Sequence, residues 1–132
     1  MVLHILKTRS VGDVQHDFSQ EYPYLRMDFF KQLAGKHGPS IKQKVVRTAK
    51  LSASGKLTEG ELEIHDSMTV GQLESVFRER FGINMQVSRK SGPVWLETTV
   101  TDKWTLKQQN EHGRELSVPV KKILPEDELD FD

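Results

Sequence analysis

The sequence predicts an α+β domain, and three observations carry that prediction. The pattern Ser/Thr-Val-Gly-x-aliphatic-x3-Phe-x3-aromatic occurs twice, starting at Ser10 and, 59 positions later, at Thr69. In each copy the apolar side chains recur at i, i+3 and i+4, the spacing of a helix with one buried stripe. On both sides of each copy the apolar residues instead alternate with polar ones, which is the signature of strands with one buried face.

The elements follow in order. Residues 2–8 read as a strand because Leu3 and Ile5 alternate with polar neighbours, and they match Leu62 and Ile64 of the later segment. The first helix spans 10–22: the Ser10 hydroxyl caps its free amides, Val11, Val14, Phe18 and Tyr22 form the stripe, and Pro23 ends it. Leu25, Met27 and Phe29 define a strand over 24–30. Residues 60–66 give the third strand. The second helix, 69–81, opens with Thr69 and Gln72 at capping-box spacing, carries Val70, Leu73, Phe77 and Phe81, and stops at Gly82. Ile83, Met85 and Val87 mark a strand over 83–90, which the turn at Ser91-Gly92-Pro93 joins to a further strand over 94–100. Thr105 and Gln108 form another capping-box pair, opening a short third helix that runs to about His112 and ends at Gly113. Trp95 and Trp104 are expected to pack this helix onto the end of the sheet, since a helix so short needs a large apolar contact.

Between the two repeated units lies a basic connector, residues 31–58, with seven Lys or Arg and no Asp or Glu. Glycines and Gly38-Pro39 interrupt it, and the Val45-Val46 pair predicts a short strand within 42–50. The domain is expected to cover 1–118, connector included. Residues 119–132 form an acidic tail whose last eight positions hold five acids, so it is expected to remain disordered in solvent or to pair loosely with the connector.

Composition excludes several classes of chemistry. The chain has no cysteine, which removes disulfides, thiol nucleophiles and cysteine-ligated metals. Its 19 basic and 19 acidic side chains cancel, so global charge does not favour a dedicated nucleic-acid-binding protein. The apolar run at the N-terminus is too short for a signal peptide, and no stretch approaches a membrane span; a cytoplasmic protein without membrane association is expected. No phosphate-binding Gly-rich loop, nucleophile elbow or His-Glu-x-x-His motif occurs, so an enzyme is not the leading expectation and no cofactor is implied.

Two sets of residues remain as candidate sites. Lys42, Lys44, Arg47 and Lys50 in the connector offer cations for a phosphate or another polyanion. His4, Glu61, Glu63 and His65 would share one non-core sheet face if the first and third strands are neighbours, where they offer metal ligands or proton carriers. A solvated polar sheet face accounts for these four more simply. Their carboxylates also make that face a poor platform for RNA.

The order strand-helix-strand, strand-helix-strand resembles the ferredoxin-like arrangement, which implies one antiparallel sheet backed by two helices, here with an added hairpin strand and third helix. The stretch Val94-Trp95-Leu96-Glu97-Thr98-Thr99-Val100-Thr101-Asp102-Lys103-Trp104-Thr105-Leu106 is similar to one in small uncharacterised bacterial proteins and implies no activity. Because this architecture hosts many roles, the expectation is a non-enzymatic protein-interaction or regulatory module, with another protein or a second copy as partner. A weak nucleic-acid- or phosphate-binding protein using the connector is the alternative. A small hydrolase or isomerase at the His4/His65 face comes third.

Overall fold

A computed structural model describes residues 1–33 and 41–118. The class is α+β: β1 (Val2–Ile5), α1 (Val11–Glu21), β2 (Leu25–Leu33), β3 (Ile41–Lys44), β4 (Gly60–Glu63), α2 (Val70–Val76), β5 (Asn84–Ser91), β6 (Val94–Glu97) and α3 (Leu106–Ser117). A 3-10 turn at Leu51–Ser54 precedes β4, and a π-helical turn at Phe77–Phe81 continues α2. The acidic tail and residues 34–40 of the connector lie outside the described residues. Among the described residues, no helix is long and apolar enough to cross a membrane.

The strands do not join into the one sheet that a ferredoxin-like arrangement requires. β1 pairs antiparallel with β4 as a two-stranded sheet, and β3-β2-β5-β6 form a separate antiparallel sheet in that order. The reason lies along β2. On the side away from β5, the Leu25 carbonyl accepts from Ser19 Oγ (2.9 Å), the Met27 carbonyl from Gln15 Nε2 (2.7 Å) and the Phe29 carbonyl from the Val45 amide (2.8 Å). Two side chains of α1 and the chain after β3 thus satisfy the edge that β4 would take in a ferredoxin-like order.

The apolar stripes meet where their spacing predicts. Val11, Val14, Phe18 and Tyr22 from α1 and its cap, and Val70, Leu73, Phe77 and Phe81 from α2 and its extension, join Leu3, Ile5, Leu62 and Ile64 of the small sheet and Leu25, Met27, Phe29, Ile83, Met85 and Val87 of the large one in one core. The ends of α1, α2 and α3 carry full capping boxes, on Ser10 with Asp13, Thr69 with Gln72, and Thr105 with Gln108.

A second correspondence between the halves involves the backbone. The Val11 and Gly12 amides donate to the Ala49 and Arg47 carbonyls, both at 2.9 Å, while Val70 and Gly71 donate to Trp104 and Asp102 at 3.2 and 2.8 Å. In return the Leu51 amide donates to the Arg9 carbonyl and the Leu106 amide to Met68, both at 2.8 Å. The basic connector therefore clamps the start of α1 much as residues 102–106 clamp the start of α2. It contains β3 at 41–44, a buried Leu51 and a 3-10 turn, where the sequence predicts a single strand within 42–50.

α3 also differs from expectation: it continues past Gly113 to Ser117. Gly113 is buried where an added Cβ would meet Tyr24 Cβ at 2.9 Å and Arg89 Cγ at 3.0 Å, so its lack of a side chain serves close packing and does not end the helix. Trp104 packs edge-on against His112 of α3, with ring centroids 5.4 Å apart, whereas Trp95 lies on β6 beside Arg26 and Lys90.

Candidate binding site

Strand alternation sends Met27 and Phe29 of β2 into the core and leaves Arg26, Asp28 and Phe30 on the opposite face. Asp28 is nonetheless only 5% exposed, and an isolated carboxylate there would be costly. Its neighbours meet that demand. Oδ2 accepts from Arg26 Nε at 3.2 Å, Arg26 Nη2 at 3.0 Å and Ser88 Oγ at 3.2 Å, and Lys44 Nζ stands 3.8 Å away. Oδ1 faces Gln15 Nε2 at 3.5 Å.

Around this carboxylate lies a cleft of about 570 Å³ between α1, the outer face of the large sheet and the chain after β3. Gln15, His16 and Ser19 come from α1, Arg26 and Asp28 from β2, Lys44 through Arg47 from β3 and its continuation, and Trp95 from β6. The Arg26 guanidinium lies 4.8 Å from the Trp95 ring centroid, so one residue is shared between the buried acid and the aromatic wall. With Arg26, Lys44 and Arg47 against the single carboxylate of Asp28, the lining carries an excess of positive charge.

The four connector cations are not gathered at one point. Lys44 and Arg47 line the cleft, and Lys42 lies on β3 with its Nζ 4.9 Å from the Phe30 ring centroid. Lys50 is drawn elsewhere, donating to the Thr8 carbonyl at 3.1 Å. Arg26, His16 and Asp28 sit in no sequence motif that marks a site. An acid in the middle of a strand, a position disfavoured unless a partner awaits it, is the signal that points to Asp28.

His4, Glu61 and Glu63 lie on the small sheet. His4 is the register partner of Glu61, and His4 Nδ1 approaches Glu61 Oε2 at 3.2 Å, both side chains being exposed. Glu63 stands opposite Val2. His65 lies beyond the end of β4 and, with Glu63, borders a second cleft of about 860 Å³. Among the described residues, no group of three or more His, Asp or Glu side chains is gathered to hold a metal ion.

That second cleft sits beside α2 and has a different character. Glu74, 59 positions after Gln15, reaches the edge of β5, where its Oε2 accepts from the Val87 amide at 3.0 Å. Burial raises its pKa above the ordinary carboxylate value; the Val87 amide opposes that rise, and the nearby Asp102 adds to it. The first cleft therefore has mainly cations in its lining, whereas the second mixes Glu63, Glu74 and Asp102 with Arg78 and Lys103.

At the far side of the large sheet, β6 is an edge strand. Val94 and Leu96 are exposed on it, and Val100 just beyond it is 98% exposed. No protein-family model, curated protein or solved structure matches the chain.

Proposed function

We propose that the protein is a non-enzymatic interaction module that binds an acidic segment of a partner protein in the cleft between α1 and the large sheet. The observation that carries this reading is the buried Asp28. By holding Arg26 on Trp95 and drawing Lys44 towards itself, it preorganises cations whose combined charge exceeds its own. The Ser19 hydroxyl bordering the cleft is already engaged with the Leu25 carbonyl, so it serves the fold and not a nucleophilic step. We also read the two halves of the chain as copies of one unit, the first of which carries the cationic cleft.

Nucleic acid is the second reading, favoured by Lys42, Lys44 and Arg47 on one side of the molecule. It ranks lower because the rings that would stack bases are taken: Arg26 and Lys90 lie over Trp95, and Lys42 over Phe30. Phosphate contacts alone would give binding without base preference.

Fluorescence anisotropy with a labelled Asp/Glu-rich peptide and a labelled oligothymidylate, at about 20 mM salt where charge is least screened, separates the two. The module reading expects peptide binding that weakens at least tenfold in the Lys44→Gln/Arg47→Gln variant. Tighter binding of the oligonucleotide, with affinity falling about 0.7 log units per log unit of salt for each phosphate contacted, would transfer the assignment to the second reading.

A further inference from the structure

The cleft beside Asp28 matches one kind of anion better than another. Arg26, Lys44 and Arg47 stand against the single carboxylate of Asp28, so the lining carries a net charge of two. An aspartate or glutamate side chain brings one negative charge, whereas a phosphoserine or phosphothreonine approaches two. Asp28 does not turn this balance against an anion: it is only 5% exposed, with Oδ2 facing Arg26 and Ser88 and Oδ1 facing Gln15. On β6, Glu97 stands opposite Ser88 and outside the cleft lining, and Lys90, over the Trp95 ring, offsets its charge.

The guanidinium of Arg26 is already held in position. Nε and Nη2 donate to Asp28 Oδ2 at 3.2 and 3.0 Å, and the group lies 4.8 Å from the Trp95 ring centroid, so two side chains fix its plane. Nη1 has no partner among the described residues, which leaves that end of the fork for a ligand oxygen. Lys44 Nζ stands 3.8 Å from Asp28, and Arg47 enters no ion pair among the described residues. A phosphoryl group offers three oxygens to such a set of donors, a carboxylate two.

We propose that the partner's segment carries a phosphorylated serine or threonine, whose phosphoryl group is held by Arg26, Lys44 and Arg47; the inference rests on the acidic-segment reading and specifies its ligand. The cleft of about 570 Å³ has room for more than a phosphoryl group, and Pro23, Val45 and Val46 give it apolar wall for the flanking side chains. A phosphodiester backbone fits less well, since each of its phosphates carries a single charge. Phosphotyrosine also fits less well, because the Trp95 ring that would receive its ring already has Arg26 and Lys90 over it.

Three labelled peptides of one acidic sequence, differing only in Ser, Glu or phosphoserine at the centre, are compared on the full chain by fluorescence anisotropy. At about pH 7.5 the phosphoryl group is largely dianionic, and at about 20 mM salt its charge is least screened. The phosphoserine peptide should bind at least tenfold tighter than the Glu peptide. Arg26→Lys keeps the charge but loses the fork, and should lower that ratio at least fivefold. Lys44→Gln/Arg47→Gln leaves the contact between Arg26 and Asp28 in place, so it reads the same site even if Arg26→Lys does not fold. It should weaken the phosphoserine peptide at least three times more than the Glu peptide.

The outcomes keep the two proposals apart. A phosphoserine peptide that binds no tighter than the Glu peptide overturns the phosphoryl site and leaves the module reading standing. A preference that survives in both variants overturns it as well, because the phosphoryl group is then held elsewhere. Inorganic phosphate should displace the phosphoserine peptide only at concentrations far above that peptide's Kd; displacement near the Kd would make this a small-anion site and refute recognition of a phosphorylated segment. If none of the three peptides binds, the module reading itself fails.

Discussion

Arg26 and Asp28, two positions apart on β2, form a two-pronged contact in which Nε and Nη2 both donate to one carboxylate oxygen, at 3.2 and 3.0 Å. The same oxygen receives Ser88, so a single atom ties β2 to β5 on the face away from the core. Asp28→Asn removes the charge at nearly constant volume and should lower stability by about 1.5–3 kcal/mol, the range for hydrogen bonds to charged groups. Ser88→Ala, which removes one donor of several, should cost about 1 kcal/mol. Urea unfolding with unchanged slope would register both as shifts of the midpoint. A smaller loss for Asp28→Asn than for Ser88→Ala would show that the carboxylate does not organise the face.

Phe18 and Phe77 stand 59 positions apart and are both fully buried, Phe18 against Tyr22 and Phe77 between Phe29 and Phe81. Truncation of either to Ala should cost about 3–5 kcal/mol. Chemical denaturation provides the measurement. If both variants stay within about 0.5 kcal/mol of the parent, the two helices do not supply the core.

Glu74 carries a pH signature. Its folded pKa is raised, chiefly by burial, so the folded state holds the proton more tightly than the unfolded chain does. The resulting stabilisation is fully present below the ordinary carboxylate value and is lost as pH rises through the raised one. Glu74→Gln keeps an acceptor for the Val87 amide but cannot ionise. Relative to the parent, the variant should therefore be most favourable near neutral pH and lose that advantage towards about pH 4. A difference in stability that stays constant over this range would contradict the assignment.

At Gly113 two effects compete. Alanine raises helix propensity by about 1 kcal/mol, yet its Cβ would lie 2.9 Å from Tyr24 Cβ and 3.0 Å from Arg89 Cγ. Neither atom is the loose end of a side chain, so Gly113→Ala should be destabilising by about 1–3 kcal/mol. Thermal melts showing a stabilised variant would mean that α3 sits further from β2 than these distances say.

The apolar half of this fold is legible in the chain because period and burial coincide: Phe18, Phe77, Met27 and Met85 all lie where spacing alone puts them. Which strands pair is not legible. The deciding contacts, Gln15 to the Met27 carbonyl and Ser19 to the Leu25 carbonyl, are single hydrogen bonds from polar helix positions and leave no periodic trace. The site divides along the same line. Lys44 and Arg47 stand out in a run without acids, but Arg26 and Trp95 become partners only once β5 holds β2 on one side and β6 on the other. Gly113 misleads for a related reason: a glycine needed for close approach reads like one that ends a helix.

The register of both sheets also bears on how the chain acquires its structure during synthesis. Leu3 lies opposite Leu62, and Asp28 lies opposite Gln86, so the pairing at the middle of each sheet joins residues 59 and 58 positions apart. A nascent chain released as far as residue 59 holds β1, β2 and β3 but neither β4 nor β5. At about 5–20 residues per second the ribosome adds the missing partners over several seconds, during which α1 has only its own strand and connector to pack against. Contacts of this sequence separation close slowly even in a complete chain. Assembly of the core therefore waits for β5, and the first half must stay unaggregated until then.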